Sequence, residues 1–332
     1  INPMQYGTIV HYILERFFGE YTKEEYLSLE EDKFQKIVCA YLAEYAVKYF
    51  GEEQLESNSF TYRLKTILDN VMYLMKHIME ELSQSEFFVA DCELKIGEDI
   101  PSYTIVLPDG HKIAVCGSVD RVDIMQRDDI TYLRIIDYKT GTKQFKLSDI
   151  LYGINLQMLL YLHSIEASGG DKYREIVPAG ILYMPATVPY ISSDSLKSID
   201  KLPDELNKKL KMNGLLLKDT EIIHGMDKTD VATYIPVKIK AGEPVSSTSL
   251  ATLAEFGKIF KKVDMLIAEM GKNIYNGNIE AKPLKGGHDS CEYCPYDSVC
   301  AYRQSNPITC FSVDNKTVIE EITNEINGKE EE

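Results

Sequence analysis

Three amphipathic helices open the chain. Residues 6–18 (YGTIVHYILERFF) carry Ile9, Ile13 and Phe17, then Val10, Leu14 and Phe18, at helical spacing. Segments 31–50 and 60–84 repeat the period, the first through Phe34, Ile37, Val38, Tyr41, Leu42 and Tyr45. The second does so through Leu64, Ile67, Leu68, Val71, Met72, Met75 and Ile78. The pattern then turns strand-like at 87–97, 102–107, 111–125 and 131–137. A PDG turn at 108–110 and a polar QRDD turn at 126–129 join these runs, which predicts an antiparallel meander. A helix over 155–167, a buried strand over 175–185 and a further strand over 231–239 follow, with loops and short helices in 186–230. Residues 249–277 read as one long helix, with Thr248 or Ser249 as N-cap and Gly277 as its stop. This order predicts an α/β fold: a mixed central sheet flanked by helices.

Composition narrows the classes. The chain has 332 residues, 44% hydrophobic and 27% charged, which is globular, and no apolar run long enough to span a membrane. It opens on Ile1 rather than Met, which reads as a segment of a longer protein. The net charge of −16 excludes a surface that grips nucleic acid all over. Any such contact has to be local, through a few basic side chains or a bound metal ion.

Candidate chemistry concentrates in YLRIIDYKTGTKQF (132–145). Leu133, Ile135 and Ile136 belong to a buried strand, yet it ends in Asp137, Tyr138 and Lys139. Side chains at i and i+2 share a face of a strand, so Asp137 and Lys139 point together and Tyr138 points away. The preceding strand carries Asp120 in GSVDRVDIM (117–125). Two facing carboxylates repel, which raises a pKa or recruits a cation. Magnesium, held by one or two carboxylates, together with a lysine suits phosphodiester hydrolysis. The backbone carbonyl of Tyr138 is a further candidate ligand, and Asp123 is expected to pair with a basic group. A D-x-K pair by itself is more often a surface salt bridge; the acid on the neighbouring strand is what favours a site.

The cysteines form a second focus. There are seven, and Cys291, Cys294 and Cys300 stand as C-x2-C-x5-C. Three thiolates so spaced suit zinc or an iron–sulfur cluster, with Cys310 or His288 available to close a zinc site.

GSVDRVD followed by RIIDYKTG resembles the PD-(D/E)xK nuclease superfamily, RecB-like branch, whose pattern is G-hydrophobic-D-R-hydrophobic-D, then hydrophobic-D-Y-K-[ST]. The resemblance implies a restriction-endonuclease-like sheet and a magnesium- or manganese-dependent deoxyribonuclease, with Asp120, Asp137 and Lys139 catalytic. YGTIVHYILE (6–15) is similar to the branch's G-T-x-x-H-x-x-L-E helix, which makes His11 a metal ligand. NLQMLLYLHS (155–164) matches Q-x-x-x-Y, which places Gln157 and Tyr161 beside the site, and Glu93 is a supporting acid. The cysteine tail resembles the iron–sulfur segment of these nucleases. Their fourth cysteine precedes the His helix, so the chain is expected to hold three of four ligands and to bind a cluster poorly or not at all. The motif order, with KMNGLLLKDTEIIHGMD (211–227), resembles the C-terminal nuclease domain of AddB (RexB)-type subunits of bacterial AddAB helicase-nucleases. That implies a cytoplasmic DNA exonuclease acting on the 5′-ended strand in double-strand-break repair, with an AddA-type partner subunit and single-stranded DNA from unwound duplex as substrate. A narrow basic track of Lys139, Lys143, Lys146, Lys282, Lys285 and Arg303 would guide that strand. A CRISPR-associated RecB-like nuclease and a non-catalytic DNA or subunit clamp are the alternatives. The expected layout is a nuclease domain over 1–310: a helical part (1–86), the catalytic sheet (87–185), an insert (186–248), and the long helix with the cysteine segment (249–310). A partly disordered tail (311–332) completes it.

Overall fold

The computed structural model describes residues 1–141, 143–191, 202–246, 248–300, 302 and 307–330. The helical part comprises α1 (Pro3–Glu20), α2 (Lys23–Leu27), α3 (Glu31–Phe50), α4 (Glu52–Leu55) and α5 (Asn58–Gln84). α1 starts where Asn2 and Gln5 satisfy each other's backbone N–H groups in a capping box. Its apolar face, Ile9 to Phe18, packs with Phe34, Val38, Val71 and Ile78 in one continuous core.

The strands follow as β1 (Phe88–Ile96), β2 (Tyr103–Val106), β3 (Lys112–Val115), β4 (Gly117–Arg127) and β5 (Ile130–Lys139). A 3-10 turn (Leu147–Tyr152), α6 (Gln157–Ser168) and α7 (Gly170–Tyr173) lead to β6 (Glu175–Pro185). Then come α8 (Leu202–Leu210), β7 (Asn213–Leu217), α9 (Thr220–Met226), β8 (Lys238–Lys240), β9 (Glu243–Val245), β10 (Leu250–Ala251) and α10 (Leu253–Tyr275). β11 (Leu284–Gly286), α11 (Asp297–Cys300), β12 (Ile308–Cys310) and α12 (Asn315–Glu330) close the chain. Among the described residues the main sheet has the order β1-β4-β5-β6-β7-β10. β5 lies between antiparallel β4 and parallel β6, joined to β6 through α6, so it is buried along most of its length.

The mixed α/β sheet agrees with the sequence reading, with four differences in detail. First, 111–125 is not one strand. Gly97 at φ +100 turns the chain out of the sheet, so β2 and β3 form a separate hairpin while β1 pairs directly with β4. Second, 231–239 is a loop apart from the start of β8. Asp227 accepts the backbone N–H groups of Thr229 and Tyr234, and Lys211 binds the carbonyls of Ala232 and Val237, so the segment's polar groups are met outside a ladder. Third, the region read as loops and short helices contains β7, whose Asn213–Leu216 run pairs with β6. Fourth, α10 begins after Thr252, which forms the capping box with Glu255, rather than after Thr248 or Ser249. Within the tail, α12 packs back on the domain, with Val318 and Ile322 fully buried and Lys262 of α10 paired to Glu325 at 2.5 Å, while residues 331–332, where the tail ends, lie outside the described residues.

Candidate metal centre

The site forms at one end of the central strands. β4 and β5 pair with Arg121 opposite Ile136, so one step further sets Asp120 opposite Asp137. β1 pairs with β4 through Cys92–Arg121 and Leu94–Val119, which sets Glu93 opposite Asp120 on the other side. Glu93 has φ 49, a left-handed conformation that non-glycine residues rarely adopt, inside a strand. That local strain accompanies a carboxylate that meets His11 of α1: Nδ1 of the ring lies 3.1 Å from Glu93 Oε1, and Ser118 Oγ donates to Glu93 Oε2 at 2.9 Å. The other ring nitrogen, Nε2, lies 3.7 Å from Asp120 Oδ2. The same carboxylate oxygen accepts the Tyr138 N–H at 2.9 Å, so a side chain ends the ladder between the two strands.

His11, Glu93 and Asp120 each offer a ligand atom, and these atoms lie within 4.8 Å of one another. Asp137 lies outside that group. Its Oδ2 is buried without a hydrogen bond and has Lys139 Nζ at 2.5 Å as its ion-pair partner. Three carboxylates therefore outnumber the ammonium groups of Lys139 and Lys143 beside them, an arrangement short of positive charge. Burial pushes the Asp120 carboxyl up to about 6, partly offset by His11 and reinforced by the charge of Asp137. Burial alone would lower His11, but its hydrogen bond to Glu93 and the surrounding carboxylates leave it raised. Imidazole nitrogen and carboxylate oxygens fit a divalent cation such as magnesium or manganese.

The opposite face of the same strands explains the rest of the DRVD pattern. Side chains alternate, so Arg121 and Asp123 turn away from Asp120, and Arg134 of β5 joins them. Asp123 accepts four guanidinium bonds, from Arg121 at 2.6 and 2.6 Å and from Arg134 at 3.0 and 2.8 Å. Glu81 of α5 accepts one from each arginine, at 3.2 and 2.6 Å. All four side chains are fully buried. Tyr138, buried on this side, presents its ring edge-on to His11 at 5.7 Å between centroids.

The sequence that carries this arrangement matches a known family along most of the chain. The model of the PD-(D/E)XK nuclease superfamily matches residues 1–301. The chain belongs to that superfamily. It is 34% identical over 91% of its length to an ATP-dependent helicase/deoxyribonuclease subunit from Thermoanaerobacter sp. (strain X514), covering 27% of that protein. The protein of the same name from Alkaliphilus oremlandii is 33% identical over 98% of this chain, which covers 29% of it. That of Clostridium acetobutylicum is 33% identical over 91% of this chain, again covering 27%. The chain thus spans less than a third of the length of these relatives.

Within the superfamily pattern, Tyr161 lies over the entry to β4. A Cβ on Gly117 would fall 2.2 Å from its hydroxyl oxygen, so the glycine makes room for this ring three residues before Asp120. Gln157, one turn earlier on α6, is exposed. The cysteines differ from the metal cluster. All seven are free thiols, and among the described residues Cys291, Cys294 and Cys300 do not bring three sulfurs within 4.8 Å of one another. Of the expected basic track, Lys139 and Lys143 stand over the Tyr183 ring at 5.7 and 5.0 Å. Lys282 and Lys285 are instead paired with Glu280 and Asp289 in the cysteine segment, and Arg303 lies outside the described residues. Glu81 and Ser118 are the polar partners that the sequence reading missed. The signal for Glu81 was an acid set between Ile78 and Leu82 on an apolar helix face.

Proposed function

We propose that the chain is a divalent-metal-dependent deoxyribonuclease that hydrolyses phosphodiester bonds of the 5′-ended strand. In this reading it works within an AddAB-type helicase-nuclease, beside an AddA-type partner subunit, on single-stranded DNA from unwound duplex during break repair. One observation carries the chemistry: the convergence of His11, Glu93 and Asp120 beside the Asp137–Lys139 pair. The names of the relatives, each a helicase/deoxyribonuclease subunit, support the wider setting over the CRISPR-associated alternative.

His11, Asp120 and Asp137 would hold the ion, with Glu93 as a ligand or as the group that orients His11, and with the Tyr138 carbonyl as a further donor. When bound, magnesium or manganese polarises a phosphate oxygen and lowers the pKa of a coordinated water. The protein supplies the remainder. Lys139 carries an ammonium on the same strand face as Asp137, placed to stabilise negative charge that develops on the phosphate. Glu93 fixes the imidazole by its bond to Nδ1, which leaves Nε2 directed toward Asp120. Tyr161 flanks the strand that delivers Asp120, and it and Gln157, one turn earlier on α6, are assigned to DNA contact. An iron–sulfur site at Cys291, Cys294 and Cys300 enters this reading through their spacing alone.

The test is cleavage of single-stranded DNA with magnesium by the intact protein together with its partner. Asp137→Ala and Lys139→Ala are expected to abolish cleavage while DNA binding persists. Full cleavage by Asp137→Ala refutes the assignment and leaves a clamp as the better reading.

A further inference from the structure

We propose that the insert after β6 carries the track for the phosphodiester backbone of the cleaved strand, in a pocket walled by Lys208, Lys211, Lys238 and Lys240. The proposal rests on the nuclease reading of the metal centre and adds where the rest of the strand runs.

The first observation is charge. In a protein of net charge −16, four lysines line one concave pocket of about 750 Å³ with no carboxylate among its lining residues, Lys208 being paired with Glu205 at 2.7 Å. Lys238 and Lys240, at i and i+2 of β8, are both exposed, and neither is ion-paired among the described residues. Ammonium groups gathered this way repel one another unless an anion lies between them. Burial, reinforced by the charge of Lys238 and opposed by that of Asp227, holds the Lys211 ammonium below its usual range. Lys211 also donates to the carbonyls of Ala232 and Val237 at 2.6 and 3.1 Å, which fixes the pocket wall and leaves a third N–H.

The second observation is position. Asp137 pairs with Tyr183 on β6, and Tyr183 pairs with Asn213 on β7. Two strand spacings place Asn213 about 10 Å from Asp137 at the same end of the sheet. Lys211 and Met212, which line the pocket, immediately precede Asn213. The Asn213 side chain also holds the loop that carries Lys143: it donates to the Lys143 carbonyl at 3.0 Å and accepts the Phe145 N–H at 2.7 Å. Lys139 and Lys143, both over the Tyr183 ring, therefore lead from the metal centre to this pocket across the ends of β5, β6 and β7. On the other side of the centre, the groove beside His11 sets Glu15 and Glu93 against a single lysine, Lys95, and so is less favourable to a polyanion.

A line of ammonium groups with no planar or base-reading partner suits phosphates at successive nucleotides and is indifferent to sequence. A nucleic-acid strand is favoured over an acidic protein surface because the line begins at the hydrolytic centre.

The experiment compares wild-type chain with Lys238→Gln/Lys240→Gln and Lys238→Arg/Lys240→Arg. Binding of a fluorescein-labelled oligothymidylate is followed by anisotropy in EDTA across a salt series, alongside magnesium-dependent hydrolysis of bis(p-nitrophenyl) phosphate. The glutamine pair is expected to lose affinity about tenfold or more and to flatten the log affinity–log salt slope by about 1.4, the value for two lost single-strand phosphate contacts. The arginine pair keeps both, and hydrolysis of the small diester is unchanged in all three. Equal affinity and equal slope for the glutamine pair overturn the track and leave an acidic protein partner for this surface. A wild-type chain that binds the oligonucleotide with the expected slope but does not cut the small diester counts against the nuclease reading and leaves the track standing.

Discussion

Asp123→Asn isolates what the hidden face of β4 and β5 contributes. The wild-type carboxylate accepts four guanidinium bonds of 2.6 to 3.0 Å, with no solvent exposure on either side. The asparagine removes the charge and turns one acceptor oxygen into an NH2 group that faces donors. Two buried arginines then share Glu81 alone. Breaking a buried pair in this way costs about 3–5 kcal/mol, a large part of the roughly 5–15 kcal/mol that holds a domain together. Burial alone would raise the pKa of Asp123, but Arg121 and Arg134 outweigh it and hold it below the ordinary value. Its stabilising contribution is therefore complete above the unfolded value of about 4 and is lost as pH falls below it. Urea unfolding at neutral pH measures the difference, with Lys76→Gln, which breaks a half-exposed pair with Glu31, as a control worth under about 1 kcal/mol. A loss below about 1 kcal/mol for Asp123→Asn, at unchanged m-value, refutes the view that this network fixes the strands that present Asp120 and Asp137.

Other predictions follow from single contacts. Burial opposes a charged His163, but Asp264 and Glu166 outweigh it and raise the ring to about 9. It should contribute on the order of 2–3 kcal/mol, fully present below pH 6.5 and lost as pH rises through about 9; His163→Gln should flatten a thermal-stability profile over that window. Gly117→Ala should destabilise by about 1–3 kcal/mol, because Tyr161 must move. Adding Tyr161→Leu should recover part of that loss, and strict additivity in unfolding experiments would count against the clash. Ile322→Ala should cost about 2–4 kcal/mol in the same assay if α12 is part of the fold, and nothing if the tail is loose.

Much of this was legible in the sequence because period and chemistry agreed locally. The run Leu133 to Ile136 read as a buried strand, and its end in Asp137 and Lys139 marked the proposed site. Asp120 was readable because a short turn makes β4 and β5 neighbours, which fixes who faces whom. Glu93 was harder: its prominence comes from a left-handed backbone at one position, which no side-chain pattern encodes. Glu81 stood out only as an acid on an apolar helix face, and its role was hidden because its partners lie 40 and 53 residues away. β7 was missed for a similar reason, since five residues ending in Leu215, Leu216 and Leu217 are a strand only because β6 is there to pair with them. Residues 231–239 failed in the opposite sense, where an apolar run was captured by Asp227 and Lys211.

The most direct test of the central claim is a crystal of this chain soaked in manganese and measured for anomalous scattering. One ordered ion is predicted among His11 Nε2, Asp120 and Asp137, with Glu93 coordinating it or still bonded to His11 Nδ1, and Asp120→Ala should abolish the peak. An ion bound elsewhere, or a peak that survives Asp120→Ala, would contradict the assignment of these residues as the metal centre.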